Sequence, residues 1–231
     1  MDFLGEVLGW YADPAQWTGN NSIPLRLSEH VSLAVAAMAG ALAVALPLGL
    51  YIGHTGHGAR LAVVLSNLGR AVPSLGWLGI AYPISTGLLG RGGIGFVPAF
   101  VGLVALAIPP VVTNTYAGLR EVDPDLQDAG RGMGMSERQL LTRVEIPVAL
   151  PIILAGIRVS AVAVVATTPL AALVGGGTLG SYILQGLALS DEVRVVAAAI
   201  LVAVLAILTE LGLAGLQRRA TSRGLRQPAA D

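Results

Sequence analysis

The chain has 231 residues, of which 54% are hydrophobic and only 12% charged, about half the charged share of a soluble protein. Fourteen carboxylates balance fourteen basic residues, all Arg, which excludes a strongly basic nucleic-acid binder and an acidic disordered chain. Without Cys there is no disulfide framework or catalytic thiol, and without Lys no GxxxxGK[ST] phosphate loop, so any ATP is bound by another chain.

Residues 1–26 predict an external N-terminal tail. Asp2 and Glu6 stand where a signal peptide would carry basic residues, so the first apolar run reads as a retained helix. Trp10, Tyr11 and Trp17 fit either a short helix on the outer leaflet or a loosely packed tail. Five long apolar runs follow, at 31–53, 61–84, 94–118, 152–174 and 195–216. Each reaches the ~20 residues that cross a hydrocarbon core as a helix. Together they contain only three charges, Arg70, Arg158 and Glu210. Helix is the default because an open strand in lipid leaves its backbone unpaired. The expectation is an all-α, multi-pass membrane protein with five transmembrane helices. Asn67, Arg70 and Pro73 interrupt the run 61–84, which also fits two short segments. One span is preferred, because a sixth would bring the acidic N-terminus inside.

Residues 54–60, 119–151 and 217–231 hold nine Arg, including Arg60, Arg120, Arg138, Arg143, Arg223 and Arg226; the opposite segments hold Arg26, Arg91 and Arg194. The positive-inside rule makes the nine-Arg side cytoplasmic. The N-terminus is then outside, and residues 217–231 form a basic cytoplasmic tail.

The segment 119–151 is too long for a simple turn. Asp123-Pro124-Asp125 predicts a helix start, with Asp123 as N-cap. That helix should end near Ala129, with Gly130, Gly132 and Gly134 breaking the chain. Ser136 restarts a helix with Gln139 as a capping box, and Leu140, Leu141 and Val144 share one face. Pro147 and Pro151 should end it. So small a helical pair must pack on something. It either rests on the membrane or bundle surface or serves as a docking element for a soluble protein.

Asp128-Ala129-Gly130-x3-Gly134-x9-Val144-x-Ile146-Pro147 resembles the E-A-A-x3-G-x9-I-x-L-P signature of permease subunits of bacterial ABC importers. It departs from it by Asp for Glu, Gly for the second Ala, and Val-x-Ile for Ile-x-Leu. Pro73-Ser74-Leu75, Pro110-x3-Asn114-Thr115-Tyr116-x-Gly118, Pro147-x-Ala149-Leu150-Pro151 through Arg158, and Ala172-Leu173-x-Gly175-x-Gly177-x-Leu179-Gly180 are similar to the glycine betaine/carnitine/choline/proline branch. The similarity covers residues 27–214. It implies a type I ABC importer permease domain there, in the bacterial inner membrane, working by alternating access. It implies two partner ATPases, an extracytoplasmic binding protein, and a second permease copy or a paralogue. This chain would hold no cofactor of its own and would not be an enzyme. By the same resemblance Asp128, Ala129, Gly130, Gly134, Val144 and Pro147 couple the chain to its ATPases. Methionine or oxyanion permeases share much of this framework, and a stand-alone secondary transporter is the other-class alternative.

Arg158 and Glu210 each lie about seven residues inside a span, roughly 10 Å from the cytoplasmic boundary. They either pair across the fourth and fifth spans or snorkel separately. Arg70 reads as a bundle-interior or helix-break position rather than a pathway residue. Trp77, Tyr82 and Tyr116 are candidates for transient contact with a cationic solute.

Gly90-x-Gly92-x-x-Gly95 and Gly175-x-Gly177-x-x-Gly180 match a dinucleotide fingerprint, but neither follows a strand. They read as tight external turns, the second leading into a short re-entrant gate near Ser190-Asp191-Glu192. His54-x-x-His57 has no third ligand nearby, so no metal site is expected. His30 reads as an interfacial residue, which leaves no His inside a span and argues against an intramembrane protease.

Overall fold

The computed structural model describes residues 3–220. Arg223 and Arg226 of the predicted basic tail, and Asp2, lie outside the described residues. The elements are helical: α1 (Phe3–Ala12), α2 (Ile23–Thr55), α3 (Ala59–Ala71), α4 (Ser74–Leu89), α5 (Phe96–Arg120), α6 (Pro124–Gly132), α7 (Glu137–Leu140), α8 (Ile146–Thr167), α9 (Gly180–Leu189) and α10 (Glu192–Ala220). Short 3-10 turns fill Pro14–Gln16, Gly90–Gly93 and Thr168–Val174.

Four helices or helix runs are long and apolar enough to cross a membrane, Ile23–Thr55, Phe96–Arg120, Glu137–Val174 and Glu192–Ala220. The second predicted span, 61–84, is not one helix. It breaks at Val72-Pro73 into α3 and α4, with a bend of 94°. Pro73 takes φ −56° and ψ 143°, and the residue before a proline is driven away from the helical region. No such break occurs at Pro47, Pro109, Pro110 or Pro151, each inside a continuous helix. The first span starts at Ile23, earlier than the apolar run. Arg26 and Glu29 pair at 2.9 Å one turn apart, so the charged turn extends the helix.

The described residues form two compact units, one from residues 3–40, 72–107 and 161–209, the other from 41–71, 108–160 and 210–220. In the first, Ile23, Leu179, Tyr182, Ala198 and Val202 form a core. Trp10 meets Tyr182 edge to face at 5.4 Å, and the Tyr11 hydroxyl donates to Ala197 O at 2.6 Å. The N-terminal segment is therefore a docked helix and not a loosely packed tail. His30 is also corrected. It lies inside α2 and is fully buried, with Nε2 3.0 Å from Val165 O. A helix extended toward its N-terminus carries the ring from the expected rim into the core. The argument that no His lies within a span therefore fails.

In the second unit, Leu119, Val122, Ala149 and Ile153 pack with Leu46, Leu50 and Leu141. This core seats α5 and α8 against the last turns of α2. It also receives the first residue of the π turn Leu141–Glu145, and so fixes the loop between α5 and α8.

Candidate coupling site

The site is built on α6 and α7. The Asp123 carboxylate accepts from Asp125 N–H at 2.9 Å and caps α6, with Pro124 at the first helical position. The helix does not stop at Ala129 but continues to Gly132. The reason is packing: Gly130 is buried, and a Cβ there would come within 2.8 Å of Leu140 Cδ1. Gly130 thus lets α7 close on α6 rather than breaking the helix. The break falls at Gly134, at φ +82°, the left-handed region that favours glycine. Gly134 N–H bonds Arg131 O and Met135 N–H bonds Gly130 O, the paired bonds of a Schellman ending. Ser136 and Gln139 then form a reciprocal capping box at the start of α7.

Pro147 and Pro151 do not end this helix. A π turn at Leu141–Glu145 joins α7 to α8, with Ile146 N–H reaching back to Leu141 O. Pro147 falls where the bonding register changes, in the first turn of the new segment, where its missing N–H is tolerated. α7, the π turn and α8 therefore form one continuous helical path. Leu140 is fully buried, Val144 is half-buried and Pro147 is exposed.

The outer side of this pair is open and mixes charged with apolar groups. Asp128, Ala129 and Gly134 are exposed, and Met133 is 73% exposed. Arg131 Nε lies 3.1 Å from Glu137 Oε1, and its Nη1 lies 3.5 Å from Asp128 Oδ1. The hydrogen bond to Glu137 holds the Arg131 guanidinium above its already high pKa. Beneath Glu137 lies His54, at the end of α2, with Nε2 3.5 Å from Glu137 Oε2 and Nδ1 2.7 Å from Glu145 Oε2. By sequence His54 is weighed only as a metal ligand, and no metal site is expected there. Glu145, two residues before Pro147, carries no signal in the sequence that sets it apart. Among the described residues, no group of three His, Cys, Asp or Glu side chains could hold a metal ion.

The other predicted residues lie apart from the loop. Arg158 Nε stands 3.3 Å from Glu210 Oε1, and Gln217 Nε2 donates to Pro151 O at 2.9 Å, so two polar contacts tie α8 to α10. Arg70 is exposed in the last turn of α3, at the helix break rather than in an interior. Trp77 is half-buried and Tyr82 39% exposed on α4; Tyr116 is half-buried on α5.

Residues 45–222 match the family described as the binding-protein-dependent transport system inner membrane component. The chain belongs to this family. It is a multi-pass inner-membrane transport subunit and not an enzyme. The glycine betaine/carnitine/choline transport system permease protein OpuCB of Bacillus subtilis (strain 168) is 34% identical to this permease over 90% of this chain and 93% of that one. The carnitine transport permease protein OpuCB of Listeria monocytogenes is 35% identical over 92% and 94%. A solved chain of the MetNI methionine ABC transporter, in an inward-facing conformation, superposes with a TM-score of 0.79 at 21% identity, over 91% of this chain and 99% of that one. The permease has the type I ABC importer fold.

Proposed function

We propose that this permease forms the membrane pathway of an ATP-driven importer for small osmoprotectants, of the class of glycine betaine, choline, carnitine and proline. The likeness to glycine betaine, carnitine and choline permeases along nine tenths of the chain supports this reading. An external binding protein delivers the solute, and this chain pairs with a second copy or a close paralogue. Two cytoplasmic ATPases dock on the loop 123–147. Their closure displaces α6 and α7 and switches the pathway between inward-open and outward-open. The nine-Arg side is cytoplasmic, and the N-terminus is outside. Residues 27–214 act as the transport domain.

The docking role rests on shape. α6 and α7 present an exposed outer side of charged and apolar groups over a buried Gly130–Leu140 contact, which suits a rigid element pushed as a unit. Within it Asp128, Ala129, Gly130 and Gly134 form the coupling turn, while Val144 and Pro147 start the path into α8. Arg158 and Glu210 brace α8 to α10 within the bilayer. Trp77, Tyr82 and Tyr116 meet the solute in passing.

The test is uptake in a strain lacking the gene, with labelled betaine, choline, carnitine and proline, and methionine as a competitor. Import of one of the four, restored by the gene and indifferent to methionine, is the expected result. Failure of all four removes the substrate class. Gly134→Leu should abolish uptake while the protein stays in the membrane; full uptake removes the coupling role.

A further inference from the structure

The coupling reading leaves one cluster without a part. His54 stands in the last turn of α2, 91 residues before Glu145 in the chain, and its Nδ1 is 2.7 Å from the Glu145 carboxylate. Glu145 is 2% exposed and sits in the π turn that joins α7 to α8. A buried carboxylate is tolerated only with a partner, and π turns recur at functional positions. On its other side the same imidazole faces Glu137, at the start of α7, at 3.5 Å. Glu137 continues to Arg131 of α6, and Arg131 to Asp128. A line of polar contacts therefore runs from the outer side of the coupling turn to the end of α2.

We propose that His54 is a positioning residue for coupling. It locks the start and the end of the α7–π segment to α2, so that a push on α6 and α7 moves α2 instead of being lost in the loop. Apolar contacts such as those of Leu140 and Leu141 can slide. The hydrogen bond between His54 Nδ1 and Glu145 is directional and resists sliding, and the other ring nitrogen stands 3.5 Å from Glu137, eight residues earlier in the chain. Nothing in the coupling signature points to His54, which lies outside it. The inference rests on the coupling role of the loop 123–147.

The test has two arms. In the first, the permease, its ATPases and its binding protein are reconstituted in vesicles, and solute imported per ATP hydrolysed is measured. His54→Ala should lower that ratio by about tenfold while the subunits still co-purify and hydrolyse ATP. His54→Asn, whose amide reaches the place of Nδ1, should recover part of it. In the second arm, a spin label is placed at Met133→Cys in the full-length chain, which has no other Cys. His54→Ala should make the label more mobile. An unchanged import ratio, a parallel fall of import and hydrolysis, or an unchanged label overturns the proposal. If His54→Ala does not fold, Glu145→Gln takes its place: a lower import ratio with a more mobile label supports the proposal, and no change in either overturns it. If the wild-type complex neither assembles nor imports, the coupling reading fails, and the label still decides whether His54 holds the loop.

Discussion

Two glycine-rich turns look alike as text and differ in kind as structure. The turn at 132–136 is largely exposed, and around Gly134 no atom lies within 4 Å of where a Cβ would go. Glycine is needed there for its backbone angle alone. The turn at 175–180 runs from an exposed Gly175 to a buried end, with Thr178 and Leu179 almost fully enclosed. A Cβ on Gly180 would lie 1.9 Å from Pro169 O, and one on Gly177 would lie 2.0 Å from the Glu29 carboxylate. Glycine is needed there for space. Glu29 also accepts from Thr178 N–H at 3.1 Å, and Thr178 is held at φ +84°, a costly angle for a β-branched residue. One turn is open to its surroundings, while the other is clamped.

The sharpest break in this comparison is Gly180→Ala. The obstruction is backbone, so the turn must open, and a loss of about 3 kcal/mol is expected in thermal unfolding of the detergent-solubilised protein. Glu29→Ala removes the clamp's acceptor, and a loss of about 2 kcal/mol is expected by the same measurement. Gly134→Ala meets open space and only the left-handed angle resists it, so about 1 kcal/mol is expected. Equal losses for Gly180→Ala and Gly134→Ala would erase the distinction between the turns. Smallest of all, Arg131→Ala touches an exposed pair and should leave the unfolding temperature unchanged. Any change in uptake it causes would then be a matter of coupling and not of folding.

Much of the exposed turn's neighbourhood is legible without coordinates. Asp123 caps α6, and Ser136 with Gln139 caps α7, because capping depends on side chains two or three residues away. The Arg158 and Glu210 charges can be matched in depth by counting residues, and they stand 3.3 Å apart. The end of α6 is misplaced when Gly130 is taken as a helix breaker. Its role depends on Leu140, ten residues on, and a glycine that makes room reads the same as one that breaks a helix. The pairing of His54 with Glu145 is out of reach for the same reason, over a longer separation.

The apolar runs, their near-complete lack of charge, the capped loop and the coupling signature belong to consecutive residues, and the sequence by itself determined them. Transfer into lipid and helix capping are local properties. The tertiary structure decided which prolines break a helix, since Pro73 does and Pro47 and Pro151 do not. It also buried His30 against Val165 and set His54 between two carboxylates. Those outcomes depend on what neighbouring helices offer a freed carbonyl, a ring nitrogen or a buried charge. Such partners come from distant stretches of chain that only folding brings together.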